Sequence, residues 1–184
     1  AGNAGPHMWR SFAAARAESG LSLDAWSKDV LTELAVRIEA RALFPFGRPY
    51  APFQRWAVRA EACHVSPLGL LIHPDYGLWH GYRGALLFAD AIDLPPPDSR
   101  SSPCASCAER PCLSACPVSA FSHAGYDVPA CVRHLAAAPE PSCMEIGCLA
   151  RHACPAGRDY RYAAEQARFH MLAFLKEHGR GGAG

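Results

Sequence analysis

Eight of the nine cysteines in this chain lie between residues 104 and 154, and only Cys63 stands apart from them. An odd number of cysteines cannot pair completely into disulfides. Disulfide scaffolds also spread their bridges through chains too small to build a core, whereas residues 1–95 contain a single cysteine and can form a core of their own. The distribution therefore indicates a metal cofactor held locally by thiolates in a reducing compartment, and we expect a cytoplasmic protein.

The eight clustered cysteines form two groups with an isolated residue between them. The groups are Cys104-x2-Cys107-x4-Cys112-x3-Cys116-Pro117 and Cys143-x4-Cys148-x5-Cys154-Pro155, and the isolated residue is Cys131. A four-iron–four-sulfur cluster is held by four thiolates, and in two-cluster bacterial ferredoxins the cysteine that precedes proline ligates the other cluster. The proline fixes φ and lacks an amide donor, which suits a turn that leaves the site. The spacing predicts two [4Fe-4S] clusters.

The same crossing rule gives each of the eight cysteines a place. The first cluster takes Cys104, Cys107, Cys112 and Cys154. The second takes Cys116, Cys143 and Cys148, and its fourth ligand is the remaining candidate, Cys131. Cys63 is left without a role. Structural zinc, which also binds four thiolates, is the main alternative for these cysteines, and a buried inert thiol is the alternative for Cys131.

These motifs resemble those of a known family. The sequences CASC at 104–107 and CLSACP at 112–117, the isolated Cys131 and the final Cys-Pro resemble the ferredoxin-like domain of epoxyqueuosine reductases, and corrinoid reductive dehalogenases have a related domain. The sequence GLLIHPDYGLW at 69–79 is similar to the segment that leads from the corrinoid domain of these enzymes into the cluster domain. The resemblance covers residues 56–156 and implies that Cys131 ligates the second cluster. The cysteine spacings are longer here, and residues 1–95 are too few for the family's full nitroreductase-like corrinoid domain.

The pattern of elements predicts an α+β protein in two parts. Residues 1–95 are expected to form a helix-rich N-terminal part with a small sheet, which the resemblance makes a remnant of the corrinoid domain. Residues 96–184 are expected to form a ferredoxin-like two-cluster domain followed by a C-terminal helix. The segment 94–103 is rich in proline and serine and is expected to be the linker between them.

Local signals place the elements along the chain. Residues 2–6 predict a turn. A first helix is predicted over 9–18, ended by Gly20, and a second from an N-cap at Ser22 to about Ala42. Further helices are predicted over 53–62 and 160–178. The apolar positions of the second helix recur at three and four and predict a core-facing stripe: Trp26, Val30, Leu31, Leu34, Ile38 and Ala42. Strand-like segments are predicted at 68–72 and 85–88, joined by a loop at 73–84.

The loop at 73–84 holds the other candidate binding residues. Its aromatic and basic side chains are candidates to line a flavin or corrinoid pocket: Tyr76, Trp79, His80, Tyr82 and Arg83. The alternative is that the loop covers a cluster and excludes water, which itself tunes a reduction potential. We predict no catalytic residue.

Charge and hydropathy limit the classes of partner. With 18 basic and 17 acidic residues the formal net charge is +1, which gives little basis for nucleic-acid binding through a basic face. No apolar run approaches the roughly 18–20 residues of a membrane span. The sequence therefore predicts a soluble electron carrier that serves a redox partner protein. The alternatives are a reductase whose clusters feed a corrinoid or flavin, with a homodimer completing the pocket, and a structural cluster or zinc module of a larger complex.

Overall fold

The computed structural model of the chain describes residues 1–137 and 143–179 and has an α+β fold, as the sequence predicts. The helices are α1 Trp9–Ser19, α2 Leu23–Arg37, α3 Phe53–Ala60, α4 Pro111–Ser114, α5 Val128–Ala137, α6 Cys143–Ile146, α7 Leu149–Ala153 and α8 Ala164–His178. The strands are β1 Gly2–Ala4, β2 Ala40–Leu43, β3 His64–Val65, β4 Leu71–Ile72, β5 His80–Tyr82, β6 Ala85–Phe88, β7 Phe121–Ser122 and β8 Gly125–Tyr126. No helix among the described residues is long and apolar enough to cross a membrane.

The strands form two-stranded antiparallel sheets that pair β1 with β5, β2 with β6, β3 with β4 and β7 with β8. The apolar segments predicted as strands contain β4 and β6, but the loop between them also contains a strand, β5. The predicted turn at 2–6 is wrong in its first half, because Gly2–Ala4 pairs with His80–Tyr82. Such a pairing between distant segments leaves no local signal in the sequence.

The sequence locates the starts of the helices better than their ends. Gly20 ends α1 in the left-handed region (φ 69°), and the Ser22 hydroxyl accepts a hydrogen bond from the Ala25 amide at the start of α2, as predicted. The extension of α2 to about Ala42 is wrong. Glu39 has a φ of 52°, which turns the chain, and β2 follows at once to pair with β6.

The predicted apolar stripe of α2 is mostly wrong as a core face. Val30, Leu34 and Ile38 are 44%, 37% and 38% exposed. The buried positions are instead spaced four apart and include one hydroxyl: Leu23, Ser27, Leu31 and Ala35. The Ser27 hydroxyl donates to the Leu23 carbonyl within the helix, so its burial leaves no unpaired donor.

The C-terminal helix begins later than predicted, at Ala164, because a 3₁₀ turn occupies Arg158–Tyr160. It packs against two segments that are far apart in the chain. Phe169 lies against the aromatic cluster of Trp9 and Phe12, while Met171, Phe174 and Leu175 pack around Leu135, Cys143 and Met144.

One core joins the two parts that the sequence separates. Leu68, Ile72 and Leu78 come from before the linker, and Cys112, Ala150 and Cys154 come from after it; we call these six residues the central core. The linker itself has no regular structure and is largely exposed. The loop at 73–84 is therefore packed directly onto the cysteine segment.

Candidate metal centre

Four of the predicted ligands line one small cavity of about 30 Å³. They are Cys104, Cys107, Cys112 and Cys154, which we call the first quartet. The first two lie in the loop before α4, Cys112 lies in α4, and Cys154 caps the end of α7. Prolines at 103, 111 and 155 also line this cavity and fix the backbone on which the cysteines are carried.

The other four predicted ligands line a second and larger cavity of about 430 Å³. They are Cys116, Cys131, Cys143 and Cys148, which we call the second quartet. Cys116 follows α4, Cys131 lies in α5, Cys143 begins α6, and Cys148 precedes α7. The remaining wall is mainly apolar, with Phe121, Leu149, Met171 and Phe174 among its residues.

The short helices α4 and α7 connect the two quartets. Cys112 lies in α4 and Cys116 just after it, yet they line different cavities. Cys148 and Cys154 flank α7 in the same way, and α4 packs against α7. The structure thus brings the eight cysteines together in the two sets that the crossing rule assigns, and it leaves Cys63 outside both.

Burial and mutual proximity disfavour free thiolates in both quartets. The pKa of Cys112 is raised first by burial and then by the neighbouring Cys154, Cys104 and Cys107. Burial raises the pKa of Cys148 to about 11, and Cys143 and Cys131 add to the effect. Four such thiolates close together need a positive charge among them, and a bound iron–sulfur core would supply it.

Several donors are aimed at the sulfur atoms. The Ala120 amide donates to Cys116 Sγ at 3.3 Å, and backbone amides also lie at Cys143, Cys148 and Cys154. The Tyr126 hydroxyl donates to Cys131, which lowers the pKa of that thiol against the larger effect of burial. Hydrogen bonds to ligand sulfurs stabilise their negative charge and help to set the potential of an iron–sulfur centre.

Each quartet presents four thiol donors to its cavity. Within residues 1–137 and 143–179, no group of three or more His, Cys, Asp or Glu side chains is placed to hold one metal ion. A four-iron core takes one thiolate at each iron, so the sulfurs around it do not need to converge on one point. In the second quartet, four thiols surround a mainly apolar cavity of about 430 Å³ and receive amide or hydroxyl donors, which is the donor chemistry that such a core takes.

Comparison with known proteins identifies no relative: no family model, no curated protein and no solved structure matches the chain. The resemblance to epoxyqueuosine reductases stays a prediction from the motifs quoted above.

Two of the candidates in the loop at 73–84 serve as packing groups. The Tyr76 ring stacks on His73 with centroids 4.4 Å apart and meets the edge of Tyr160. Trp79 is 1% exposed and lies edge-on to His152 and Tyr162. These contacts hold the loop against α7 and the segment that follows it.

His80 and Tyr82 belong to a hydrogen-bonded chain around Cys63. The His80 Nδ1 donates to the Gly77 carbonyl, and its Nε2 lies 3.7 Å from Cys63 Sγ. The Tyr82 hydroxyl lies 3.1 Å from the same sulfur and donates to Glu61. Cys63 is 1% exposed, and burial raises its pKa, so it is a buried protonated thiol with polar neighbours.

Arg83 forms an ion pair with Asp24 and, with His80, lines a further cavity of about 300 Å³. Sequence analysis missed three other residues of that cavity, Arg151, Tyr162 and His170. Arg151 lies between two predicted ligands, which was a usable signal. His170 lies on a helix far along the chain and gave none.

Proposed function

We propose that this protein is an electron carrier with two [4Fe-4S] clusters, held in a ferredoxin-like arrangement, that exchanges single electrons with a redox partner protein. The observation that carries the proposal is the pair of separate cavities, each lined by four cysteines. The first quartet would hold one cluster and the second quartet the other. The exchange of one cysteine between the two groups follows the ligand pattern of two-cluster bacterial ferredoxins and supports the assignment.

When bound, each cluster supplies a one-electron couple. The protein's own residues hold and tune it. Tyr126 and the backbone amides would stabilise negative charge on the sulfurs, while Phe121 and Phe174 give the second cavity apolar walls. Because α4 packs against α7, and each of these helices has a cysteine of either quartet in it or beside it, we expect the two centres to be near enough for an electron to pass between them within the protein.

Charge is compatible with this role. Eight thiolates and two oxidised cores of about +2 each would bring the formal charge of +1 to about −3. An acidic holoprotein would be steered towards a partner with a basic docking face.

Metal analysis of protein purified without oxygen tests the proposal. We expect about eight irons and eight sulfides per chain, with a brown colour that bleaches on reduction. Two zinc ions with one iron or none would contradict it and would favour the structural zinc module.

A reductase is the second candidate, because two residues of the predicted cofactor loop, His80 and Arg83, line a cavity next to the second quartet. Titration of the holoprotein with cobalamin and with FMN separates the two functions. A tight stoichiometric change in the cofactor spectrum would favour the reductase. If the spectrum of each mixture equals the sum of the spectra of the holoprotein and the added cofactor, the electron carrier is the function supported.

A further inference from the structure

The cavity of about 300 Å³ beside the second quartet, which we call the basic cavity, has an unusual set of polar walls. Two arginines and two histidines line it: Arg83, Arg151, His80 and His170. No Asp or Glu is among the described residues that line it. A cavity of this volume lies at the lower end of the range for small-molecule sites.

The charge of the arginines is only partly neutralised. The Arg151 guanidinium donates to the Leu78 carbonyl and lies over the rings of Trp79 and Tyr162, and within the described part of the chain it forms no ion pair. Arg83 pairs with Asp24, an exposed residue outside the cavity wall, and its buried Nε finds no acceptor among the described residues. The cavity therefore contains donors and positive charge that its own walls do not match.

The two histidines of the basic cavity have lowered pKa values. Burial, with Arg151 and Arg83 adding to it, lowers the pKa of His170 to about 4. Burial also lowers the pKa of His80, and the nearby His73 and Arg151 contribute to the effect. Both rings are neutral at pH 7, which leaves the two guanidinium groups as the charges of the cavity.

We propose that the basic cavity binds a small molecule that carries an oxyanion, either a carboxylate or a phosphate group, between Arg83 and Arg151. Guanidinium groups present forked N–H donors that match the oxygens of both anions. Arg151 and Leu70 line both this cavity and that of the second quartet, so the bound anion would lie beside the second centre. If the second quartet holds a cluster, as the proposed function has it, the bound anion would also change the reduction potential of that cluster.

Calorimetric titration of the anaerobic holoprotein tests the binding. The probes are inorganic phosphate and benzoate, which separate the two anion sources, with benzamide as the neutral control. We expect saturable binding of at least one anion and none of benzamide. Arg83→Gln should weaken it at least tenfold, and Arg83→Lys should weaken it less, because the charge is kept. Arg100→Gln is the matched control: Arg100 is exposed, lies outside the cavity and should leave binding unchanged.

Two outcomes would overturn the inference: no saturable binding of either anion, or binding that Arg83→Gln leaves unchanged. Arg151→Gln gives a second test, and Arg83→Gln decides alone if that variant does not fold. Iron analysis of the same samples keeps the two proposals apart. A protein with about eight irons that binds neither anion contradicts only this inference. A protein without iron that still shows Arg83-dependent binding contradicts only the proposed function.

A second measurement tests the position of the anion. A negative charge beside the second cluster disfavours the reduced state, so saturation with the anion should shift one of the two midpoint potentials negatively. The shift should be absent in Arg83→Gln. Unchanged potentials in wild-type protein that has bound the anion would contradict its placement beside the second quartet.

Discussion

Gly77 and Gly157 lie backbone to backbone, and neither has room for a side chain. A Cβ added to Gly157 would lie 2.5 Å from the Gly77 amide nitrogen, and one added to Gly77 would lie 3.0 Å from the Gly157 amide nitrogen. Both residues also have positive φ, 57° and 68°. This contact joins the loop at 73–84 to the turn that leaves the first quartet after Cys154-Pro155, and so it holds a predicted ligand in place.

Gly157→Ala should therefore destabilise the protein in two ways. The left-handed conformation costs an alanine about 1–2 kcal/mol, and the clash with the Tyr76–Gly77 backbone adds about 1–3 kcal/mol. We expect the anaerobic thermal midpoint to fall by roughly 5–15 °C. Gly20→Ala is the control, because Gly20 has a φ of 69° but nothing within 4 Å of its added Cβ. Equal losses in both variants would show that the close approach does not matter.

Cys131→Ser tests the predicted ligand that lies outside the two cysteine groups. A serine hydroxyl is a poor replacement for a thiolate, so we expect the variant to lose one cluster and keep about four of eight irons. Cys63→Ser should keep them all, since Cys63 lies outside both quartets. Eight irons in Cys131→Ser would mean that another group completes the second cluster.

Tyr126→Phe should shift one reduction potential without loss of iron. Its hydroxyl donates to Cys131, and such a bond favours the more negative reduced state of a cluster. Removing it should move the potential of the second cluster negatively, on the order of tens of millivolts. Protein-film voltammetry would measure the shift. Tyr50→Phe, in an exposed tyrosine that contacts Arg48, is the control and should leave both potentials in place.

His170 should make stability depend on pH. Its pKa is about 4 in the folded protein, lowered by burial and then by Arg151 and Arg83, against 6.5 as the ordinary value. Protons bind the unfolded chain first, so this contribution is present above pH 6.5 and is lost as the pH falls towards 4. Between pH 7 and pH 5 the loss should be about 2 kcal/mol.

Urea denaturation of anaerobic protein at several pH values would measure that loss. His170→Gln should flatten the dependence, whereas His123→Gln, in the exposed turn between β7 and β8, should keep the slope of the parent. A parental slope in His170→Gln would show that other groups carry the effect.

Local patterns predicted much of the candidate site. The Cys-x2-Cys step, the two Cys-Pro endings and the isolated Cys131 led to two sets of four cysteines, and the structure places the same two sets around two cavities. This was possible because most of these cysteines lie a few residues from the next one in the chain, and the two Cys-Pro endings mark the residues that join the opposite set. The caps at Gly20 and Ser22 are local for the same reason.

The predictions for the buried face and the end of α2 were wrong because segments distant in the chain determine both. Val30 and Leu34 repeat at helical spacing but stay 44% and 37% exposed, and α2 instead buries the row that begins at Leu23. The helix stops at Arg37 because residues 40–43 gain a full ladder with β6. Apolar spacing predicts that a helix has an apolar face, but it does not predict which other segments pack against that face.

The sequence by itself determined the α+β class and the starts of α1, α2 and α3, since these depend on residues close in the chain. It also predicted the two sets of four cysteines, from their spacing and the two Cys-Pro endings. Only the tertiary structure decided that the loop at 73–84 packs on the cysteine segment through Gly77 and Gly157, and that Arg83, Arg151 and His170 meet in one cavity. Those contacts join residues tens of positions apart. They form because burial of the central core brings the segments together, and local spacing carries no information about that packing.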